Sequence, residues 1–123
     1  MIGVLIRAAQ DQDKLQLARL REALWPDSSS EEHVCEITRI LRGELSSTPV
    51  IIFVAESLDG RVLGFLEVGI SSHADGCDPA HPVGFIEGWY VLDGYRRLGI
   101  GKKLVRAAEE WARSQGCAEI EIS

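Results

Sequence analysis

The segment FIEGWYVLDGYRRLGIGKKLVRAAEEWARSQGC, residues 85–117, contains the transition that decides the fold. FIEGWYVL is rich in aromatic and β-branched side chains and reads as a strand, and Asp93-Gly94-Tyr95 reads as a turn. From residue 98 to 114 the positions Ile100, Leu104, Ala107, Ala108 and Trp111 share one face of a helix, which Gly116 closes. Four cations, Arg96, Arg97, Lys102 and Lys103, surround Gly99 and Gly101 where that helix begins. A helix N-terminus already carries about half a positive charge, so cations alone are misplaced there. The pattern calls for an anion.

Spacing separates the phosphate motifs that compete for this segment. A Walker loop needs Lys directly after its second glycine, but Ile100 follows Gly99. A dinucleotide fingerprint needs a third glycine where Leu104 stands, and no early βαβ unit of the right order accompanies it. What remains is a strand, a turn and Arg96-x-x-Gly99-x-Gly101 opening a helix. Glycines there let a diphosphate sit against the amides of the first turn.

Upstream, IGVLIR at 2–7 reads as a strand. Asp11 or Asp13 is expected to cap a helix whose Leu17, Leu20 and Leu24 form one buried face and which ends at Trp25-Pro26-Asp27. Ser28 with Glu31 and Ser29 with Glu32 make two overlapping capping boxes for a second helix, with Val34, Ile37 and Leu41 on one side and Gly43 as its stop. VIIFVAES and RVLGFLEVGI, joined through Asp59-Gly60, predict an antiparallel pair. SSHADGCDPAHPV at 71–83 is a loop, and the terminal CAEIEIS alternates as a strand does.

At 123 residues, 46% hydrophobic and 26% charged, the chain has the composition of one soluble domain, taken here as 1–123. No apolar run approaches the ~18 residues of a membrane span, and MIGVLIRAAQ lacks the features of a secretory leader, so a cytoplasmic location and no membrane partner are expected. A net charge of -6 argues against nucleic acid and suits a cationic small molecule. Cys35, Cys77 and Cys117 form no paired framework. His73, Cys77 and His81 offer no ligand pair in a helix or tight knuckle, so no metal is expected.

The strand FIEGWYVL, the turn and RRLGIG before an amphipathic helix resemble the acetyl-CoA-binding motif of the GNAT superfamily of N-acetyltransferases, and the preceding order of elements follows the same plan. LWPD at 24–27, DGCD at 75–78, FIEGWYVL at 85–92 and GIGKKLVRAAEEWARSQGC at 99–117 narrow the resemblance to aminoglycoside 6'-N-acetyltransferases. It implies an α/β (α+β) GNAT fold, a mixed central sheet flanked by helices, with a final helix and strand pair beyond residue 123. It also implies acetyl-CoA as cosubstrate, a polycationic aminoglycoside substrate, antibiotic resistance and a homodimer.

By the same resemblance, the strand before the loop splays from its neighbour and pairs its backbone at Trp89, Tyr90 and Val91 with the cofactor's pantetheine arm. Arg96 opens the motif, and Arg97, Leu98, Gly99, Ile100, Gly101 and Lys102 cradle the pyrophosphate. Glu87, which shares a strand face with Phe85 and Trp89 unless a bulge intervenes, is assigned to the substrate ammonium and to a role in removing its proton. Packing against a cation is the simpler reading of Glu87. Trp25 is expected to wall the sugar pocket, or else to pack as satellite core, and His73 stands where relatives often carry a tyrosine in substrate contact. The family's acidic residue and leaving-group tyrosine fall beyond Ser123. Two other functions fit the same motif: a GNAT enzyme for another amine, and an acyl-CoA-binding chain without turnover.

Overall fold

The computed structural model describes residues 3–44, 49–71 and 82–122. Strand β1 (Val4–Ala8) is followed by a 3-10 turn (Asp11–Asp13), helix α1 (Lys14–Leu24) and helix α2 (Ser30–Leu41). Then come β2 (Val50–Ser57), β3 (Val62–Ser71), β4 (Val83–Val91), α3 (Ile100–Ser114) and β5 (Ile120–Ile122). The five strands form one sheet in chain order, antiparallel from β1 to β4, with β5 parallel to β4. The expected mixed sheet with flanking helices is what forms.

Sheet position explains composition. β3 is central and buried along nearly its whole length, which is why VLGFLEVGI reads as a continuous apolar run rather than an alternating one. On one side Leu17, Leu20, Ile37 and Ile40 of α1 and α2 pack on Ile52, Val54 and Phe65. On the other, Ile100, Leu104 and Ala108 of α3 pack on Leu63, Leu66, Val68 and Ile86. Among the described residues no helix is long and apolar enough to cross a membrane.

Local chemistry settles the ambiguous boundaries. Of the two capping boxes, Ser29 with Glu32 forms: the Glu32 amide donates to Ser29 Oγ at 3.1 Å, and the Ser29 amide donates to Glu32 Oε1 at 2.9 Å. Asp13 does not cap α1 with its side chain, contrary to expectation. Its buried carboxylate instead accepts two hydrogen bonds from Arg7, at 2.7 and 2.9 Å, and one from the Gln10 amide. Arg7 also reaches Glu56 on β2, so one guanidinium ties β1 to the start of α1 and to the neighbouring strand. Helix α3 starts at Ile100 rather than 98, because Gly99 is left-handed, with φ of 83°. Arg96 and Arg97 therefore belong to the turn.

Burial raises the Asp13 pKa, but the hydrogen bonds from Arg7 and Gln10 outweigh it and hold the carboxyl below its usual range. A depressed acid pKa contributes stability that is present above its unfolded value and lost as pH falls through the folded one. Replacing Arg7 by Met is expected to cost about 1–3 kcal/mol at neutral pH, with a smaller penalty in acid. Urea unfolding of both chains at pH 7 and pH 3 checks this; an equal penalty at both would contradict it.

Candidate active site

The site grows from an irregularity in β4. Glu67 of β3 pairs with Gly88, but the next residue, Val68, pairs with Ile86, so Glu87 is an extra residue opposite Glu67. A bulge of this kind bends a strand and re-aims the side chains around it. Ile86 joins the α3-side core, while Phe85 and Glu87 line a cleft on the α1/α2 side. Trp89 lies against Gly101 of α3 instead, so the bulge separates it from Phe85 and Glu87. The conditional expectation for β4 resolves in favour of the bulge.

The cleft has a volume of about 720 Å³. Its wall includes Trp25, whose indole is tilted against Phe65 with ring centroids 6.3 Å apart. A Cβ on Gly88 would lie 2.4 Å from Trp25 Cη2, so only glycine at this point of the bulge admits the ring. Four carboxylates line the same cleft: Asp27, Glu36, Glu67 and Glu87. The cation among them is Arg21, which is 2% exposed and bonds Glu36 at 2.7 Å and approaches Glu67 at 3.1 Å. Its guanidinium also stands 5.0 Å from the Trp25 ring centre. His33 is buried beside them, with Nε2 3.0 Å from the Trp25 carbonyl.

Sequence reasoning missed Arg21 and Glu67. Each carried a signal: Arg21 interrupts the apolar stripe between Leu17 and Leu24, and Glu67 is the charged residue in an otherwise apolar strand. Burial pushes the Glu67 pKa up to about 7, against the lowering effect of Arg21 and with support from the charges of Glu36 and Glu87. Trp25 and Glu87 line the same cleft, whereas His73 lies outside the described residues, as do Cys77 and His81.

A second concavity, of about 290 Å³, lies at the other end of β4 and is lined by Trp89, Tyr90, Val91, Arg96, Arg97 and Gly101. β5 pairs with β4 only at Gly84, Phe85 and Ile86, so beyond the bulge the outer edge of β4 has no strand beside it among the described residues. Backbone groups alternate along a strand. The Leu92 amide donates to Leu63 of β3, which turns Tyr90 inward as well and faces Trp89 and Val91 to the open edge. The Arg96 side chain occupies part of that edge, donating from Nε to the Val91 carbonyl at 2.9 Å, with its guanidinium 5.3 Å from the Tyr90 ring centre.

The two glycines of the turn have different duties. Gly99 needs its left-handed backbone, and nothing lies within 4 Å of a Cβ placed there. Gly101 admits the Trp89 indole, which a Cβ would meet at 3.1 Å. Arg97 is also left-handed, with φ of 67°, an uncommon state for a non-glycine residue. Leu98 and Lys102 are exposed beside it, and the first amides of α3 have no helical acceptor. The open space over Gly99, the cationic fringe and the free amides together fit a bulky phosphate ester.

A smaller gap, of about 220 Å³, lies between the two concavities and is lined by Leu24, Trp25, Ile86, Glu87, Gly88, Trp89 and Ile122. It shares Trp25 and Glu87 with the acidic cleft and Trp89 with the basic one. An anionic carrier and a cationic acceptor bound at the two ends would meet there.

Such an arrangement defines an enzyme class in which a group is handed from a phosphate-bearing carrier to an amine. Residues 17–123 match the model of the Acetyltransferase (GNAT) family, and the chain belongs to that family. It is 41% identical over 115 residues to an aminoglycoside N(6')-acetyltransferase type 1 of Klebsiella aerogenes, covering 94% of this chain and 74% of that protein. Among solved structures, AAC(6')-Iy in complex with CoA superposes with a TM-score of 0.86 at 29% identity, covering 100% of this chain and 78% of that one. AAC(6')-Iy with the bisubstrate analog CoA-S-monomethyl-acetylneamine gives a TM-score of 0.84 at 30% identity, covering 98% and 79%. The chain thus has the GNAT fold and spans about three quarters of the length of these relatives.

Replacing Gly88 by Ala is expected to displace the Trp25 indole and to lower stability by about 1–3 kcal/mol, the usual cost of overpacking. Near-UV circular dichroism with urea unfolding measures both effects. An unchanged aromatic spectrum would contradict the packing described.

Proposed function

We propose that this chain transfers an acetyl group from acetyl-CoA to the 6'-amine of aminoglycoside antibiotics and so confers resistance. The observation that carries the reading is the gap at the open edge of β4, where Glu87 and Trp89 bring the acidic cleft and the basic turn together. The likeness to aminoglycoside N(6')-acetyltransferases supports the substrate class. A cationic substrate suits a cleft with four carboxylates and one guanidinium.

In this reading acetyl-CoA supplies an activated thioester, and the chain supplies position and charge. The amides of Gly99, Ile100, Gly101 and Lys102 hold the pyrophosphate, with Arg97 and Lys102 adding charge. The outward backbone of Trp89 and Val91 holds the pantetheine arm, which requires Arg96 to release the Val91 carbonyl. Tyr90 contributes its ring beneath Arg96. An outward amide of this strand polarises the acetyl carbonyl and stabilises negative charge on its oxygen. Glu87 receives the 6'-ammonium at the bulge, and Trp25 forms the wall along which a sugar ring lies. With that substrate comes a cytoplasmic location, where ribosomes are, and the family resemblance adds a homodimer.

Thiol release from acetyl-CoA in the presence of kanamycin or tobramycin tests the reading. Turnover is expected with both and not with an analogue that carries a hydroxyl in place of the 6'-amine. Glu87→Gln is expected to lower kcat/KM at least about tenfold while coenzyme A binding, followed by calorimetry, stays unchanged. Equal turnover of the hydroxyl analogue would refute the site of transfer. Coenzyme A binding without turnover of any aminoglycoside would point to another amine or to a chain without turnover.

A further inference from the structure

The carboxylate of Glu67 has no part in the function described so far. It is 4% exposed, yet it lines the acidic cleft. It sits on β3 directly opposite the bulge that presents Glu87, so two like charges face each other across one pair of strands. That arrangement is unfavourable unless a proton or a cation lies between them. Arg21 from α1 offsets it only in part: its Nη1 lies 3.1 Å from Glu67 Oε1 as an ion pair, while its Nη2 is bonded to Glu36 of α2. Glu67 Oε1, Arg21 Nε and Arg21 Nη1 are all buried without a properly directed hydrogen bond. A buried carboxylate left in this state costs stability, which favours a use for it.

Resting on the aminoglycoside reading above, we propose that Glu67 is the proton acceptor of the cleft, taking through water the proton that the substrate ammonium held by Glu87 must lose. The ammonium N–H bond breaks, an O–H bond forms on Glu67, and the lone pair left on nitrogen forms the amide bond as the C–S bond breaks. The second proton lost by nitrogen ends on the departing sulfur, and Glu67 later returns its own proton to solvent. Arg21 is the positioning residue: it holds Glu67 from one side and places its guanidinium against Trp25 on the other.

The charged and titratable groups that line the cleft with Glu67 are Arg21 on α1, His33 and Glu36 on α2, Asp27 between those helices and Glu87 on β4. Burial first, with the charges of Glu36 and Glu87 and against the lowering effect of Arg21, gives Glu67 a pKa of about 7. A base is most effective when its pKa lies near the working pH. Glu87 and Glu67 thereby divide the work, one holding the cation at the mouth and the other accepting its proton at the floor.

The test compares wild type, Glu67→Gln, Glu67→Asp and the double variant Arg21→Gln/Glu67→Gln across pH 5–9, with kanamycin as substrate and coenzyme A binding as the check of folding. Glu67→Gln is expected to lower kcat about a hundredfold with little change in KM and to abolish a limb of the pH profile centred near pH 7, and Glu67→Asp to restore part of both. The double variant, which leaves no buried charge unpaired, is expected to be equally slow. A Glu67→Gln enzyme within about twofold of wild type in kcat, or one changed in KM alone, would overturn the proposal. The carboxyl 13C signal of Glu67 gives a readout that needs no turnover. A midpoint near pH 7 supports the assignment, whereas one below about 5, the ordinary carboxylate range, overturns it even if the aminoglycoside reading itself has failed.

Discussion

The extra residue at Glu87 sets the direction of the side chains around it in β4. In an unbroken strand Ile86 and Gly88 would share a face, and so would Glu87 and Trp89. With the bulge, Ile86 enters the α3-side core while Gly88 makes room for Trp25 on the opposite side. Glu87 can then enter an acidic cleft two residues before Trp89 closes on the helix that carries the glycine turn. Beyond the bulge the outward backbone of Trp89 and Val91 has no strand beside it among the described residues. One register shift thus supplies a carboxylate and a clearing for an aromatic wall.

The electrostatics follow the same division. A chain with net charge -6 keeps Arg96, Arg97, Lys102 and Lys103 at one end of this edge and a set of carboxylates at the other. The cations stand where a helix start disfavours them, and Glu67 is buried where a strand core disfavours it. Both costs make sense together if an anionic carrier and a cationic acceptor occupy the two ends. Arg7 is a contrast: its ion pairs with Asp13 and Glu56 join three elements and face no cleft residue, so they serve the fold alone.

Much of this was legible in the sequence. The apolar periods placed α1, α2 and α3, because their spacing reflects one buried face, and Asp59-Gly60 between two β-rich runs placed the hairpin. The glycine turn was legible because cations beside glycines at a helix start call for an anion, and because the segment resembles the family's cofactor motif. What sequence periodicity did not supply was contact across the sheet. The bulge depends on the pairing of β3 with β4, and the burial of Arg21 depends on α1 lying over Glu67, neither of which is a property of a local segment. Gly101 shows the same limit. Its place in the motif suggested clearance for phosphate, but the close neighbour is Trp89, brought there by the packing of α3 against β4. The cap of α1 differed for the same reason, since Arg7 of β1 took the Asp13 carboxylate.

The central claim is that the acidic cleft and the glycine turn are two ends of one site, joined at the open edge of β4. A crystal structure of the chain with coenzyme A and kanamycin bound together tests it most directly. The account predicts the pyrophosphate on the amides of residues 99–102, the pantetheine arm along Trp89 and Val91, and the 6'-amine within about 3 Å of Glu87. A coenzyme seated away from this edge, or an aminoglycoside bound without contact to Glu87, would contradict it.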